Sequence, residues 1–315
     1  MMRFSVTIPT YKSAFLSECI DSVLSQTYKH FELIIVDDCS PEDIKSIVDS
    51  YSDIRIRYYR NEKNFGAENV VRNWNKCLEY ATGDYLICMG DDDKLKPNCL
   101  SDYAELIDKF PDKDIFYSRT ELIDENSNII TLLEERAECE SVYEMIWHRW
   151  NDRRMFVGDY LYKVETLRRN GGFFHLPYAW GSDAISAYIA ASICGIANTK
   201  RAGFQYRVNH LSISSDYKNI DGKIEALKME RVWFEKFFEK LPENEHDMEL
   251  LVKLKRNIGV HFQKMYADDI VYGISKAPIQ QSLYWFIHSK ECKLSFLFIM
   301  KCILMGLYYS YKTDK

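Results

Sequence analysis

The sequence predicts an α/β protein built on a mostly parallel sheet, and three observations support this fold class. Strand and helix patterns alternate through the first 120 residues, as they do when helices cover both faces of a parallel sheet. The run Phe31–Val36 is nearly all apolar, which is typical of a strand buried on both faces. From about residue 221 onward the apolar spacing is helical and strand patterns are absent, so we expect a helical C-terminal extension.

The elements of the first half are predicted from apolar spacing and from glycine and proline. Gly83 is expected to end one helix as its C-cap, and Pro97 is expected to begin the next helix. In chain order the predicted elements are strand Phe4–Ile8, helix Phe15–Leu24, strand Phe31–Val36, a helix opened by Pro41 and Glu42 that continues through Val48, strand Ile54–Tyr59, helix Ala67–Ala81, strand Tyr85–Met89 and a helix from Pro97.

The second half has a more mixed pattern. A hairpin is predicted over Glu121–Ile130, a helix over Ser182–Cys194 and short strands over Ile196–Arg207. The polar segment Asn209–Asn219 is predicted to be a loop, which places a domain boundary near residue 220.

The composition disfavours several classes of protein. A net charge of −6 argues against a general nucleic-acid binder, which usually carries a basic balance. Nine scattered cysteines without a Cys-x-x-Cys pair fit reduced thiols better than a disulfide framework or a zinc site. There is no signal-peptide pattern, and the longest apolar run, Leu294–Tyr309, is shorter than the roughly 20 residues of a spanning helix. We therefore expect a cytoplasmic protein without a transmembrane segment.

Polar side chains follow every predicted strand of the first half. They are Pro9-Thr10-Tyr11, Asp37-Asp38, Asn64-Phe65-Gly66 and Asp91-Asp92-Asp93. In an open parallel sheet, ligands bind at the carboxyl ends of the strands, so the sequence predicts a binding site at that edge. No glycine-rich phosphate loop follows the first strand, which argues against a dehydrogenase or a nucleotidyltransferase.

The acidic triplet Asp91-Asp92-Asp93 has two interpretations. Three adjacent carboxylates repel one another, and a hard divalent cation such as Mg²⁺ or Mn²⁺ relieves that repulsion. The alternative is a solvated acidic turn that caps the helix near Pro97. The position of the triplet directly after a buried strand favours the metal site.

Two other groups leave alternatives open. One carboxylate of Asp37-Asp38 is suited to accept hydrogen bonds from a base or a ribose, but Asp38 or Ser40 is also suited to cap the helix opened by Pro41. Arg72 lies off the apolar face of its helix. It is either a cation that contacts a phosphate or an ordinary surface arginine.

These motifs, in this order, resemble the opening of the family-two glycosyltransferases, strongly from residue 3 to about 120 and moderately to about 215. The resemblance implies a GT-A fold and an inverting transfer of a sugar from a nucleotide-sugar donor, with UDP as the expected nucleotide. It also implies that the sugar is transferred to a hydroxyl of a glycan or of a lipid-linked acceptor, as a step of bacterial surface polysaccharide synthesis. The matching stretches are residues 5–11, 20–28 and 31–40, Asn64-Phe65-Gly66, Arg72-Asn73, Ala81-Thr82-Gly83-Asp84-Tyr85 and Asp91-Asp92.

The resemblance also implies site residues and a cofactor, Mn²⁺ or Mg²⁺. Asp92 is the expected metal ligand, with Asp93 and His210 as further candidates, and Arg207 is a candidate for the diphosphate. Gly90 replaces the first acid of the commoner Asp-x-Asp-Asp pattern, which leaves open which carboxylate meets the metal. The expected donor-binding residues are Pro9, Thr10, Tyr11, Asp38, Gly66, Arg72, Asp91 and Asp92.

A second acidic site is implied farther along the chain. Asp183 follows Trp180-Gly181-Ser182 and stands where the family has its general base, although Ser182 replaces the usual glutamate. The alternative is an acid in the first helical turn that interacts only with the helix dipole. We favour the base, because no other residue is a candidate for this role.

The resemblance does not extend to the C-terminal region. We expect a catalytic domain over 1–220, with a nucleotide-binding half at about 1–120 and an acceptor-binding half at about 121–220, followed by a helical region over 221–315. The apolar and aromatic residues of the last helices are interspersed with lysines. They are predicted either to contact a membrane peripherally or to pack on the catalytic domain or in a homodimer. The alternative function is a non-catalytic nucleotide-sugar-binding or scaffold protein.

Overall fold

The structure is a computed structural model that describes residues 2–209, 219–289, 292 and 294–313. The chain divides into two compact units, Met1–His210 and Leu211–Lys315. The first unit is α/β and the second is helical throughout its described residues, so the predicted fold class is confirmed. The division into a catalytic domain and a C-terminal region at residue 220 stays a prediction.

The first unit alternates strands and helices. Its described strands are β1 (Phe4–Thr10), β2 (Phe31–Asp37), β3 (Ile56–Arg60), β4 (Tyr85–Cys88), β5 (Lys94–Leu95), β6 (Ile115–Ile123), β7 (Ile129–Leu132), β8 (Cys139–Glu140), β9 (Tyr160–Lys163) and β10 (Ile196–Arg207). Its described helices are α1 (Leu16–Leu24), α2 (Ile44–Asp49), α3 (Val70–Tyr80), α4 (Cys99–Lys109), α5 (Val142–Trp150), α6 (Val164–Arg169) and α7 (Ser182–Ala191), with short 3₁₀ helices at Ala67–Asn69, Val157–Asp159 and Pro177–Ala179.

The strands form one mostly parallel sheet. Their order is β3-β2-β1-β4-β9-β6-β10-β5, with β7 paired to β6 and β8 paired to β10. Strands β3, β2, β1 and β4 are mutually parallel, and β10 is parallel to β6. Strand β9 is antiparallel to both β4 and β6, so it joins two parallel halves of the sheet.

The register of the parallel half aligns the strand ends at one edge. Thr10 of β1 lies opposite Asp37 of β2, which lies opposite Arg60 of β3. Thr7 of β1 pairs with Cys88, the last residue of β4, so the acidic triplet follows directly beyond this edge. We call it the carboxyl edge, and the opposite edge, where β1, β2 and β4 begin, the amino edge.

An apolar core holds the carboxyl edge in place. Val6 and Ile8 of β1 and Leu33 and Ile35 of β2 are completely buried and belong to one cluster with residues of α1 and α4. Truncating a side chain such as Ile35 to alanine in a core of this kind costs about 2–5 kcal/mol. The strand ends are therefore anchored by packing rather than by their own polar groups.

The second helix begins later than predicted. Helix α2 starts at Ile44 and not at Pro41, because Asp43 caps it by accepting a hydrogen bond from the backbone N–H of Ser46 at 3.2 Å. The alternative that Asp38 or Ser40 caps this helix is therefore wrong.

Gly83 is not a helix C-cap, contrary to prediction. Helix α3 ends at Tyr80, and Ala81 is its C-cap. A Cβ atom on Gly83 would lie 2.7 Å from the backbone oxygen of Arg3 and 2.8 Å from the backbone nitrogen of Ser5. Glycine is needed here because the chain passes very close to β1, a contact that helical spacing does not reveal.

The second unit contains the described helices α8 (Ile220–Phe237), α9 (Glu245–Lys276), α10 (Pro278–His288) and α11 (Phe296–Thr313). The long helix α9 packs against each of the other three. Leu251, Leu254, Phe262 and Ile270 of α9 are buried in this packing. In the part of the chain that the structure describes, no helix is both long enough and apolar enough to cross a membrane.

Candidate functional site

The loop after β1 is attached to the first acid of the triplet. One carboxylate oxygen of Asp91, Oδ2, accepts hydrogen bonds from the Thr10 hydroxyl at 3.0 Å and from the backbone N–H groups of Tyr11 and Lys12, each at 2.9 Å. The three donors converge on this single oxygen. Asp91 therefore fixes the loop that contains the predicted donor-binding residues, and the Tyr11 side chain remains exposed at the surface.

The other two acids of the triplet are attached to the end of β10. Asp92 Oδ2 accepts a hydrogen bond from the Asn209 side-chain amide at 2.7 Å. Asp93 is buried, and its Oδ1 accepts a hydrogen bond from the backbone N–H of Arg207 at 3.0 Å. A Cβ atom at Gly90, where an acid of the commoner pattern is replaced, would lie 2.7 Å from Asp92 Oδ1, so a side chain here would require the Asp92 carboxylate to move.

The Arg207 guanidinium is completely buried but is not directed at the triplet carboxylates. It donates hydrogen bonds to the backbone oxygens of Asp92, Asp124 and Glu125 at 2.7 to 3.1 Å, and it pairs with Glu18 at 3.1 Å. These partners do not favour a contact of Arg207 with the donor diphosphate, which stays a prediction. Arg207 instead joins the β6–β7 turn to the triplet.

The triplet has unfavourable electrostatics. Burial, and next the neighbouring Asp92 carboxylate, raise the pKa of Asp91 despite its backbone hydrogen bonds. The same two causes raise the pKa of Asp93 well above the ordinary aspartate value. The alternative that the triplet caps the following helix is wrong, because α4 begins at Cys99 with Asn98 at its N-cap position. These carboxylates are thus packed together without a capping role that would explain them.

One carboxylate of the triplet fits a role as a metal ligand. Within the described residues, no three acidic, histidine or cysteine side chains are arranged to hold a metal ion by themselves. Magnesium in phosphate-transfer sites is usually bound by one or two carboxylates, with water and substrate phosphates as the other ligands. Asp92 is partly exposed, whereas Asp93 is buried against β10. The geometry therefore favours Asp92 over Asp93, and the assignment of either as a ligand stays a prediction.

The paired acids after β2 have different partners. Asp37 is completely buried, forms an ion pair with Arg60 and accepts a hydrogen bond from the Tyr58 hydroxyl at 2.7 Å. Asp38 accepts hydrogen bonds from the Asn61 side-chain amide at 2.8 Å and from the backbone N–H of Phe65 at 3.1 Å. Asp38 therefore positions the turn that leads to α3.

This turn also explains Gly66 and reveals a residue that the sequence analysis missed. Gly66 has a φ of 77°, a backbone conformation that favours glycine. Asn73, which the sequence analysis named only as part of the matching stretch Arg72-Asn73, is buried: it accepts a hydrogen bond from Asn61 at 2.9 Å and donates one to the backbone oxygen of Val36 at 3.1 Å. Arg72 is exposed and makes no hydrogen bond or ion pair with the described residues, so it remains available to a ligand.

The predicted base lies at the start of α7. Asp183 is partly buried in the first turn of this helix, and burial raises its pKa, although Arg149 and two backbone N–H groups oppose the shift. Ser182, which stands in place of the family glutamate, is buried and accepts a hydrogen bond from the backbone N–H of Leu176 at 2.9 Å. Ser182 thus fixes the chain before the helix, which leaves Asp183 as the acid of this segment.

The segment before α7 is strained and packs against α3 and the short helix that precedes it. Tyr178 and Ala179 have φ values of 57° and 55°, which are uncommon for residues with a side chain. Their 3₁₀ helix, Pro177–Ala179, contacts both α3 and the 3₁₀ helix Ala67–Asn69 that follows Gly66. The segment that leads into α7 is thereby held beside the short helix that follows Gly66.

The structure brings most of the predicted residues together. Thr10 and Tyr11 are hydrogen-bonded to Asp91, and Arg207 and Asn209 are hydrogen-bonded to Asp92 and Asp93; the two groups are adjacent because Asp91 and Asp92 are consecutive residues. Asp38 and Gly66 form a second cluster at the same edge, with Arg72 one turn into the adjoining helix. Pro9 is the next-to-last residue of β1 and pairs with Val36 of β2. Asp183 makes no hydrogen bond to the triplet in the described part of the chain, and His210 lies outside the described residues.

Comparison with known proteins gives a consistent family match. The model of the family described as "Glycosyl transferase family 2" matches residues 5–173. Over 113 residues the chain is 33% identical to poly(ribitol-phosphate) beta-N-acetylglucosaminyltransferase TarS of Staphylococcus aureus, covering 35% of this chain and 19% of TarS. Over 106 residues it is 39% identical to the putative teichuronic acid biosynthesis glycosyltransferase TuaG of Bacillus subtilis, covering 33% of this chain and 41% of TuaG. The chain therefore spans less than half the length of these relatives.

Solved structures confirm the architecture. TarS 1–349 of S. aureus in complex with UDP-GlcNAc superimposes with a TM-score of 0.67 at 17% identity, covering 100% of this chain and 93% of that chain. The mannosyltransferase PcManGT of Pyrobaculum calidifontis, in complex with GDP-Man and Mn²⁺, superimposes with a TM-score of 0.56 at 13% identity, covering 100% of this chain and 88% of that chain. At such low identity the likeness concerns the fold, and it confirms the predicted GT-A architecture.

Proposed function

This chain belongs to glycosyl transferase family 2, and we propose that it transfers one sugar from a nucleotide-sugar donor to an acceptor hydroxyl with inversion at the anomeric carbon. The observation that carries the proposal is the convergence of three donors from the β1 loop on Asp91, next to the partly exposed Asp92. That arrangement joins a fixed binding loop to an acid suited to a divalent ion, at the edge where parallel sheets bind ligands.

The donor is proposed to be a UDP-sugar. TarS 1–349 has been solved with UDP-GlcNAc and with UDP, which supports this nucleotide, whereas the PcManGT complex contains GDP-Man. Pro9, Thr10 and Tyr11 would line the nucleotide pocket, with Asp38 toward the base and Asp91 toward the ribose. Asp91 Oδ2 already receives three hydrogen bonds, so its other oxygen, Oδ1, would accept from a ribose hydroxyl. Gly66 and Arg72 would flank the donor from the α3 side.

The proposed cofactor is Mn²⁺ or Mg²⁺, held by Asp92. Asp93 and His210 remain weaker candidates for additional ligands. When bound, the ion would offset the negative charge that develops on the leaving diphosphate. The role of the chain itself is to hold the Asp92 carboxylate in place, which Asn209 does through its side-chain amide.

Asp183 is proposed to be the general base. It would accept the proton of the acceptor hydroxyl while that oxygen forms a bond to the anomeric carbon. The bond from the anomeric carbon to the diphosphate breaks on the opposite face, the nucleoside diphosphate leaves, and no covalent sugar–enzyme intermediate is required. The raised pKa of Asp183 supports this role, because a base is more effective when its pKa is closer to the working pH.

The acceptor is proposed to be a surface glycan or a lipid-linked precursor of one. TarS is named for transfer to poly(ribitol-phosphate), and TuaG is named for teichuronic acid biosynthesis. A cytoplasmic enzyme, peripheral at the inner face of the membrane, suits such acceptors. Self-association in a homodimer is a separate proposal for the C-terminal helices, and it competes with membrane contact for the same surface.

Calorimetry tests the donor side of the proposal. UDP-, GDP-, CMP- and dTDP-sugars are titrated into the chain with Mn²⁺ or with a chelator. We expect binding of one UDP-sugar that requires the metal ion and is lost in Asp92→Asn. Asp108→Asn, which removes an exposed acid from α4, is the matched control and should bind normally. Metal-independent binding, or equal binding by Asp92→Asn, would remove Asp92 from the proposal.

Product formation separates the enzyme from the alternative, a non-catalytic nucleotide-sugar-binding or scaffold protein. The departures at Gly90 and Ser182 favour that alternative, since both replace acids of the family pattern. Donor turnover is followed as release of the nucleoside diphosphate, with and without glycan and lipid-linked acceptors. Tight donor binding with no release under any of these conditions would support the scaffold instead.

A further inference from the structure

Helix α10 exposes an apolar face. Ile279, Leu283, Phe286 and Ile287 are separated by four, seven and eight residues, so they lie on one side of the helix. All four are exposed, Leu283 by 62% and Ile287 by 63%. The opposite side of α10, which includes Trp285, is buried in the helical unit. The packing of this helix is therefore complete on one side, and the other side presents large apolar groups to the surface.

Helix α11 has a matching exposed stripe. Leu297, Lys301, Leu304, Tyr308 and Tyr311 recur at spacings of three and four residues and are all exposed. The buried side of α11 contains Ile299, Cys302 and Ile303, which shows that the outward stripe is not needed for packing.

The two exposed faces adjoin each other. Phe296, at the start of α11, lies with its ring centroid 6.0 Å from that of Phe286 in α10. We call the combined surface the C-terminal apolar face; it consists of Ile279, Leu283, Phe286, Ile287, Phe296, Leu297, Leu304, Tyr308 and Tyr311, with Lys301 among them. An apolar surface of this extent on a helical unit usually marks an interaction site.

The charge around this face differs in sign from that of the chain. Residues 278–313 contain four lysines, at 290, 293, 301 and 312, and one acid, Glu291, whereas the whole chain has a net charge of −6. Lys301 is exposed within the apolar stripe itself. The segment that contains the last two helices thus has a positive balance in a protein that is otherwise acidic, and Lys301 lies within its exposed apolar stripe.

We propose that the C-terminal apolar face binds the surface of an anionic lipid bilayer. Leucine, isoleucine and phenylalanine side chains would enter the boundary between headgroups and acyl chains, which is how amphipathic helices bind in the plane of a membrane. Tyr308 and Tyr311 suit the headgroup level, where tyrosine is enriched. Lysines near an anionic leaflet are attracted to it, and Lys301 is placed to make this contact.

A second copy of the chain fits this face less well. In a symmetric dimer the same patch meets itself, so Lys301 would be brought toward its own counterpart. The cores of such interfaces are also depleted of charged residues. A bilayer with anionic headgroups instead complements the lysines and accepts the apolar groups.

This inference does not depend on the transfer reaction. Membrane contact would place the protein on the surface that carries lipid-linked acceptors, whatever donor it uses. Lipid binding can be measured without activity, so its failure and the failure of the proposed function are distinguishable.

Flotation of the purified full chain with vesicles tests the proposal. One set of vesicles is phosphatidylcholine alone, and the other is phosphatidylcholine mixed with the anionic phosphatidylglycerol. The test variant carries Leu283→Glu, Ile287→Glu and Leu304→Glu. The matched control carries Val232→Glu, Val252→Glu and Val260→Glu, which alter apolar residues of α8 and α9 that are exposed by 64%, 50% and 64%. Circular dichroism and size-exclusion chromatography with light scattering are recorded for each protein.

We expect the unmodified chain and the control to float with anionic vesicles, and the test variant to bind at least about tenfold more weakly while remaining folded. Lys301→Gln should weaken binding about fivefold, and high salt should weaken binding of the unmodified chain. A chain that does not float, or a test variant that floats as well as the control, would overturn the proposal. A dimer that the test variant converts to monomer, without flotation of the unmodified chain, would assign the face to a second copy.

Discussion

The two edges of the parallel half of the sheet both contain buried acids, but the acids at the two edges have different partners. At the amino edge, Glu32 is almost completely buried and receives Arg57 at 2.7 Å and Arg3 at 3.3 Å. The Ser5 hydroxyl and the backbone N–H of Thr82 each donate to it at 2.7 Å. Burial alone would raise the pKa of Glu32, but the hydrogen bonds from these partners lower it.

At the carboxyl edge, no ion pair joins a cation to the triplet carboxylates within the described part of the chain. Asp91 and Asp93 have raised pKa values because burial and the neighbouring Asp92 outweigh their backbone hydrogen bonds. Arg207 is close enough to donate to the Asp92 backbone oxygen, but its guanidinium is used by carbonyl groups and Glu18. The difference suggests a rule: buried acids with their own cations stabilise the fold, whereas acids without one are candidates for binding a ligand that supplies the charge.

The largest expected effect concerns Asp183, whose pKa is raised by burial like those of Asp91 and Asp93. Replacing it with asparagine should reduce kcat by roughly 10²–10⁴-fold, the usual contribution of a general base. Thermal unfolding should change little, because the variant keeps the side-chain volume and its position in the first turn of α7. Near-normal turnover by Asp183→Asn, measured beside the exposed control Asp108→Asn, would exclude the base assignment.

The same residue predicts a pH profile. A base acts in its charged form, so kcat/KM should fall as the pH falls through the pKa of Asp183. Because burial raises that pKa, the fall should begin above the ordinary aspartate value of about 3.9. In Asp183→Asn this acidic limb should disappear from the residual activity. If the limb persists unchanged in the variant, another group is responsible for it.

Next in size is the effect of removing Arg207, the cation that the carboxyl edge uses for structure. Arg207→Ala leaves three backbone oxygens without their donor and should lower the free energy of unfolding by about 3 kcal/mol. Urea unfolding measures this change, with Arg72→Ala as the exposed control that should stay within about 0.5 kcal/mol. If Arg207 bound the diphosphate instead, its removal would weaken donor binding and leave stability unchanged.

The residues of the carboxyl edge could be predicted from the sequence because the end of a strand can be recognised from neighbouring residues in the chain. Each group follows a strand that apolar spacing already identifies, and parallel pairing brings the ends together. Thr10, Tyr11 and Asp91 could therefore be assigned to one site before their hydrogen bonds were known. The fold class followed from the same alternation of strand and helix.

The residues that sequence analysis missed are those whose partners are remote in the chain. Asn73 reaches Val36 across 37 positions, and Arg207 reaches Asp92 across 115. Gly83 was predicted to end a helix, but glycine is needed there because the backbone passes very close to β1. Neither helical spacing nor turn chemistry contains this information, because it arises only when β1, β2 and β10 occupy one sheet.

A smaller effect should come from the amino edge. Glu32→Gln should lower the free energy of unfolding by about 2 kcal/mol near neutral pH, since it weakens a buried hydrogen-bonded group. Partial exposure of Arg3 and Arg57 limits the effect through solvent screening. Donor binding should be unaffected. Glu79→Gln, which breaks an exposed pair with Lys76, is the control and should change stability little.

The pH dependence of this variant has a definite sign. The pKa of Glu32 is lowered by folding, so its contribution is fully present above the unfolded value of about 4.3 and is lost as the pH falls through the folded value. The difference in unfolding free energy between the unmodified chain and Glu32→Gln should therefore shrink on acidification through this range. A difference that stays constant down to low pH would mean that the carboxylate charge is not what stabilises the amino edge.

The smallest expected effect is on stability, when two acids of the carboxyl edge are each replaced by asparagine. Asp93→Asn should raise the free energy of unfolding by about 1 kcal/mol in the presence of a chelator, because it removes a repelling charge while its amide oxygen still accepts from Arg207. Asp37→Asn should do the opposite and lower stability, because Asp37 is buried against the cation Arg60. Urea unfolding of both variants in one buffer makes the comparison. Opposite signs would show that the presence of a partner cation decides whether a buried acid stabilises the fold; equal signs would mean that position at the edge decides it.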